Sequence, residues 1–208
     1  MIAIIDYQAG NLTSVARAVS YLGYEGVVTH DCQVILEAER IIFPGVGAAG
    51  AAMVSLKAAG LDRALTEAFN AGTPILGICL GTQIIMGHSA ENDTPCLGLV
   101  PGEVESFAAD LRDDGDNRLK IPQMGWNGIR PVNSHPLLAG LELGDEFYFV
   151  HSYYPKPRDD AHVVATTRYG ITFPSLVGRG NLIATQFHLE KSGRPGLRLL
   201  TNFLNWQP

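Results

Sequence analysis

The chain has 208 residues, enough to close one α/β domain around a full core. Hydrophobic residues make up 46% and charged residues 17%, which excludes a disordered chain. The formal net charge of −6 argues against nucleic acid or an anionic membrane as main partner, because both require a basic face. There are three cysteines, Cys32, Cys79 and Cys96. The odd count and the lack of any C-x-x-C pair argue against a disulfide framework or a zinc site, so no metal is expected. Free thiols fit a reducing, cytoplasmic setting. Met1-Ile2-Ala3-Ile4-Ile5-Asp6 lacks a basic leader and reads as a buried first strand. No apolar run approaches the roughly 18 residues of a membrane span.

In chain order, Ile2–Ile5 is a short apolar run of buried-strand type. Asn11 to Leu22 carries Leu12, Val15, Ala16, Val19 and Leu22 at helical spacing, and Gly23 stops it. Strands are expected at Glu25–Thr29 and Arg40–Phe43, then helices at Ala51–Ala59 and Leu61–Ala71. Pro74–Cys79 is again a strand, and Gly81–Gly87 the helix after it. Repeated βα units imply a parallel sheet covered by helices. The second half changes character. Glu103–Phe107, Gly128–Pro131, Phe147–His151, Val163–Thr167, Ile171–Val177 and Leu182–His188 read as strands. Tyr169-Gly170 and Gly180-Asn181 are expected hairpin turns. Asp110–Asn117 is the most loop-like stretch, and Pro195–Trp206 closes as a helix with Leu197, Leu200, Phe203 and Leu204 on one side. The expected fold is one α/β domain over residues 1–208, with a central mixed, mostly parallel sheet, flanking helices and an added antiparallel region.

Gly77-Ile78-Cys79-Leu80-Gly81 lies between a predicted strand and a predicted helix. This is the pattern of a nucleophile elbow with Cys in place of Ser. The small residues admit a tight turn with a strained nucleophile. The sulfur is lifted clear at the carboxyl end of the sheet, near a helix N-terminus whose dipole favours thiolate. The Leu80 N–H then points where an oxyanion would form. On the pentapeptide alone, a buried cysteine between packing glycines remains the alternative.

A cysteine nucleophile needs a base. His188 ends the Leu182–Phe187 run, and Glu190 lies two residues on, so both project the same way if the extension persists. A carboxylate on one imidazole nitrogen fixes the tautomer and leaves the other for the thiol. A solvated His and Glu in a loop is the rival reading. His151 also ends a strand but lacks a nearby acid, so it reads as a pocket-wall or packing residue.

Gly45-Val46-Gly47-Ala48-Ala49-Gly50 matches the G-x-G-x-x-G of dinucleotide sites. It misses the first βα turn, follows Pro44 and has no acidic strand end about 20 residues later. No nucleotide cofactor is therefore expected. A better use for such a loop is a mobile backbone whose Val46 peptide aims an N–H at an oxyanion.

Phe43-Pro44-Gly45-Val46-Gly47, Gly77-Ile78-Cys79-Leu80-Gly81-Thr82-Gln83 and Gln186-Phe187-His188-Leu189-Glu190-Lys191-Ser192-Gly193 resemble the three motifs of class I (triad) glutamine amidotransferases. Further stretches begin at Ile5-Asp6-Tyr7, Met124-Gly125-Trp126-Asn127, Tyr148-Phe149-Val150-His151 and Phe173-Pro174-Ser175. Together they are similar to the glutaminase subunits of imidazole glycerol phosphate synthase. The resemblance implies Cys79, His188 and Glu190 as catalytic triad, with Leu80, Val46 and Gly47 forming the oxyanion hole. It implies Gln83, Ser152 and Tyr153 as holders of glutamine, and no cofactor. It further implies a heterodimer with a (βα)8-barrel cyclase subunit, an interface at Tyr148, Asn11 and Trp126, and weak activity without that partner. Three positions depart from the family pattern. Leu189 replaces a Pro between His and Glu, Gln123 replaces a His, and Ala49 replaces an aromatic. Rival readings are a glutaminase serving anthranilate or GMP synthase, a different cysteine hydrolase, or a binding protein.

Overall fold

The computed structural model describes residues 1–8 and 10–208. Ala9, inside the motif that starts at Ile5, lies outside them. The first half gives β1 (Ile2–Ile5), α1 (Leu12–Tyr21), β2 (Gly26–Thr29), α2 (Cys32–Leu36), β3 (Arg40–Gly45), α3 (Ala49–Ala59), α4 (Leu61–Asn70), β4 (Ile75–Cys79) and α5 (Leu80–Ile84). The second half gives β5 (His88–Ser89), β6 (Thr94–Pro95), β7 (Gly102–Ser106), β8 (Gln123–Gly128), β9 (Arg130–Pro131), β10 (Glu146–His151) and β11 (Tyr153–Pro157). It ends with β12 (Val163–Tyr169), β13 (Ile171–Arg179), β14 (Leu182–Thr185) and α6 (Gly193–Asn205).

The main sheet runs β2-β1-β3-β4-β14-β13-β12-β9. Its strands pair in parallel from β2 to β14 and antiparallel from β14 to β9. This is the expected mixed α/β sheet. Parallel strands are covered on both faces, which is why β1 and β4 are buried end to end. Alternate residues of β1 serve opposite sides: Ile2 and Ile4 join one core, Ala3 and Ile5 the other. The first core takes Val15 and Val19 from α1 and Leu199, Leu200 and Phe203 from α6. The second takes Leu56 from α3 and Leu61 and Leu65 from α4. Truncating a fully buried side chain such as Phe203 to Ala would cost about 3–5 kcal/mol.

Several expected boundaries move. The strand at Leu182–His188 stops at Thr185, and a 3₁₀ turn covers Leu189–Lys191. The strand expected at Gly128–Pro131 is instead β8 followed by the short β9. The helix expected at Gly81–Gly87 shrinks to α5. The elements α2, β5, β6 and β11 were not expected. The edge strand β11 pairs only with β7, so Pro155 and Pro157 are tolerated there. Both predicted hairpin turns form, with Gly170 and Gly180 at positive φ.

Candidate active site

The carboxyl ends of β3, β4 and β14 lie side by side, with Gly45 opposite Cys79 and Thr185 opposite Ile78. Open α/β sheets place their sites at this edge. Cys79 holds φ 54° and ψ −104°, the strained turn expected of an elbow. A non-glycine residue kept there costs about 1–3 kcal/mol. The flanking glycines serve close approach. A Cβ on Gly81 would fall 2.0 Å from the Phe43 carbonyl oxygen, and one on Gly77 would fall 2.8 Å from the Ala184 Cβ. The expected helix dipole is a weak aid, because α5 is only five residues long.

His188 and Glu190 meet by a route other than extended backbone. The 3₁₀ turn folds Glu190 back, and its Oε1 lies 2.8 Å from His188 Nδ1. Their side chains are 2% and 0% exposed. Asn11 Nδ2 donates to the same carboxylate oxygen. Asn11 was expected at the partner interface, and the structure sets it against Glu190. The turn is pinned from β10: His188 N donates to the Tyr148 carbonyl at 2.9 Å, and Tyr148 N to Ser192 Oγ at 3.0 Å. Ser192 Oγ in turn donates to the His188 carbonyl at 2.6 Å.

His188 Nε2 is buried, has no well-aligned hydrogen-bond partner among the described residues, and lines the same cavity as Cys79. Burial alone would lower the His188 pKa. Hydrogen bonding to Cys79 and Glu190, and their negative charge, outweigh it and raise the value from 6.5 to about 9. The ring is thus disposed to hold a proton beside the sulfur.

The cavity has a volume of about 350 Å³. Gln83, Ser152 and Tyr153 line it, together with Val46 and Gly47. Gln83 Nε2 donates to the Tyr153 carbonyl at 3.1 Å and to Gln186 Oε1 at 3.2 Å. Gln186 Nε2 approaches the Cys79 sulfur at 3.8 Å. Two groups at or near this cavity had no role in the sequence reading. One is Gln186, whose contacts span 107 positions to Cys79. The other is Glu91, which lines the cavity and accepts from Ala49 N at 2.6 Å.

His151 lines the cavity as expected. Burial lowers its pKa to about 4, so the ring is neutral. Its Nδ1 lies 2.7 Å from the Tyr153 carbonyl and its Nε2 3.0 Å from Gln123 Oε1, so the neutral ring's single N–H donates to one of these two oxygens. Gln123, where the family pattern has a His, is a buried partner that steadies His151.

The glycine loop separates into two roles. Gly47 takes φ 104°, a conformation that favours glycine, but Gly45 ends β3 and keeps an ordinary φ. Trp126 on β8 and Tyr148 on β10 face each other with ring centroids 6.0 Å apart. On β8, Met124 is 65% and Trp126 54% exposed.

A thiol on a strained elbow, beside an imidazole backed by a buried carboxylate, defines an amide hydrolase of the thiol type. The family profile "Glutamine amidotransferase class-I" matches residues 3–206. The chain belongs to the class-I glutamine amidotransferases. More particularly, it is 52% identical over 98% of its length to imidazole glycerol phosphate synthase subunit HisH of Nitratidesulfovibrio vulgaris, covering 95% of that relative. It is 51% identical to the subunit of the same name from Desulfovibrio desulfuricans, with 99% of this chain and 94% of the relative aligned. The solved structure of PurLQS from Thermotoga maritima shares the fold, with a TM-score of 0.74 at 19% identity, covering 98% of this chain and 97% of that one.

Proposed function

We propose that this chain is the glutaminase subunit of an imidazole glycerol phosphate synthase, acting in histidine biosynthesis as one amidotransferase unit over residues 1–208. The observation that carries it is the buried His188–Glu190 pair opening onto Cys79 in a single cavity. Identity near 50% along the whole chain to subunits named HisH supports the particular synthase.

In this reading the Cys79 thiolate attacks the side-chain amide carbon of glutamine, and His188 holds the proton. Glu190 steadies the imidazolium. The oxyanion is met by the Leu80 N–H and by a second N–H from Val46 or Gly47. His188 protonates the departing ammonia, leaving a glutamyl thioester on Cys79. Water, deprotonated by His188, then releases glutamate and restores the thiol. Gln83 and the backbone at Ser152 and Tyr153 hold the substrate. Glu91, a carboxylate on the cavity wall, suits the substrate's α-ammonium group.

Free ammonia at neutral pH becomes ammonium, which is no nucleophile. Ammonia therefore passes directly to a (βα)8-barrel cyclase subunit, where it joins a phosphoribulosyl-aminoimidazole carboxamide intermediate. The exposed Met124 and Trp126 of β8 offer the docking face, with Tyr148 beside Trp126. A cytoplasmic setting accords with the free cysteines, and no helix among the described residues is long and apolar enough to cross a membrane. Cys79→Ala should abolish glutamine hydrolysis with an unchanged circular dichroism spectrum. Retained hydrolysis would reject the mechanism. Adding the cyclase subunit with its ligand should raise turnover by orders of magnitude, and an unchanged rate would reject the coupling.

A further inference from the structure

Tyr7 is out of keeping with its surroundings. It follows β1, is 4% exposed and packs on Phe43 with ring centroids 5.4 Å apart. Its hydroxyl is buried with no hydrogen-bond partner among the described residues. An orphaned hydroxyl weakens a core, so phenylalanine would serve packing better. The hydroxyl lies instead against Gly45, where a Cβ would come within 1.8 Å of its oxygen. Gly45 keeps an ordinary φ, so what its missing side chain supplies is room for this hydroxyl.

The backbone direction at Gly45 follows from the ladder. Ile41 N donates to the Pro74 carbonyl at 2.9 Å, so the polar groups of Ile41 face β4. Successive residues of a strand direct these groups to opposite edges, so those of Phe43 and Gly45 also face β4. The Gly45 carbonyl is thus directed toward the elbow at Cys79, its register partner. The Val46 N–H, on the other side of the same peptide, is directed toward β1. That is the edge where Tyr7 stands, since β1 and β4 flank β3. A half-turn of the Gly45–Val46 peptide exchanges the two groups. The N–H then faces the sulfur, and the carbonyl arrives at the tyrosine. That turn rotates ψ of Gly45 and φ of Val46, and glycine at the first of these positions lowers its cost.

We propose that Tyr7 is a positioning residue of the oxyanion strand: its buried hydroxyl donates to the Gly45 carbonyl once the Gly45–Val46 peptide has turned its N–H toward the Cys79 sulfur. The inference rests on the glutaminase reading above. Burial, reinforced by the charge of Cys79, pushes the phenol well above its usual range, so it stays a donor at any working pH. The hydroxyl has no partner in the resting strand and gains one in the turned strand, which biases the equilibrium toward the state competent for chemistry.

The test is Tyr7→Phe in the full chain, assayed with the cyclase subunit. One hydrogen bond made only in the competent state corresponds to roughly a tenfold fall in kcat for glutamine hydrolysis. KM for glutamine should be unchanged, and the melting temperature equal or higher because an orphaned polar group is gone. A fall in kcat beyond about twofold with KM and melting temperature retained supports the proposal. Any other pattern overturns it: an unchanged kcat, an effect confined to KM, or joint loss of kcat and melting temperature, which describes packing. Cys79→Ala runs alongside. If that variant hydrolyses glutamine as the parent does, the glutaminase reading fails, whereas an inactive Cys79→Ala with an unaffected Tyr7→Phe removes only the role given to Tyr7.

Discussion

The side chains around His188 work by opposed forces. Desolvation favours the neutral ring, while Glu190 at 2.8 Å and the Cys79 sulfur favour the charged one, and the charge wins. The folded ring therefore binds its proton more tightly than the unfolded chain does. Its stabilising contribution is complete below the ordinary pKa of 6.5 and is lost as pH rises through about 9. The gap in melting temperature between the parent and His188→Gln should be widest below about pH 6.5 and narrow as pH rises through about 9. Glutamine turnover should fall over the same upper range, since the leaving ammonia then lacks its proton donor; turnover that climbs steadily past it would contradict the assignment. At this scale the sequence was readable only where chemistry is local. Cys79 between spaced glycines and His188 two residues from Glu190 are short patterns. Gln186, Glu91 and Asn11 act through partners 107, 42 and 179 positions away, and no local pattern carries that information.

Among the elements, one tight fit is where α5 leaves β4 under β3. The distance of 2.0 Å between a Cβ on Gly81 and the Phe43 carbonyl means that the backbone itself must move to admit a methyl. Gly81→Ala should destabilise the fold by about 3 kcal/mol, or roughly 6–12 °C in thermal melting for a chain of this size, and should cost activity as the elbow shifts. A melting curve matching the parent would show that the elbow is looser than drawn. The βα units of the first half were legible because their apolar residues recur at strand or helix spacing, as in β1 and α1. The strand β11 was not, because Pro155 and Pro157 argue against a strand unless its edge position is known. Nor was the end of β14, since Gln186-Phe187-His188 stay as buried as the strand itself after it has ended at Thr185.

The whole molecule joins two kinds of sheet for one purpose. The parallel half supplies the elbow, and the antiparallel pair of β8 and β10 supplies both the clamp on the His188 turn and an exposed apolar face. In the proposed reading, the strand that clamps the His188 turn also borders the docking face. Trp126, 54% exposed, contributes little to the folded monomer. Trp126→Ala should leave thermal stability unchanged while weakening cyclase binding by about 2 kcal/mol or more, read by calorimetric titration. Equal affinity would move the docking face elsewhere. The elbow, the mixed sheet and the family were legible because they rest on contiguous motifs. The pairing of β8 with β10 was legible only in its second strand, because Gln123–Gly128 is too polar and too glycine-rich to read as a strand.

The most direct test of the central claim is acid quenching of the complex during turnover of radiolabelled glutamine, followed by peptide mapping. A labile glutamyl label on the peptide containing Cys79, absent from Cys79→Ala, is the expected result. Steady release of glutamate with the label on another residue, or with none on Cys79 even when thioester hydrolysis is slowed, would contradict it.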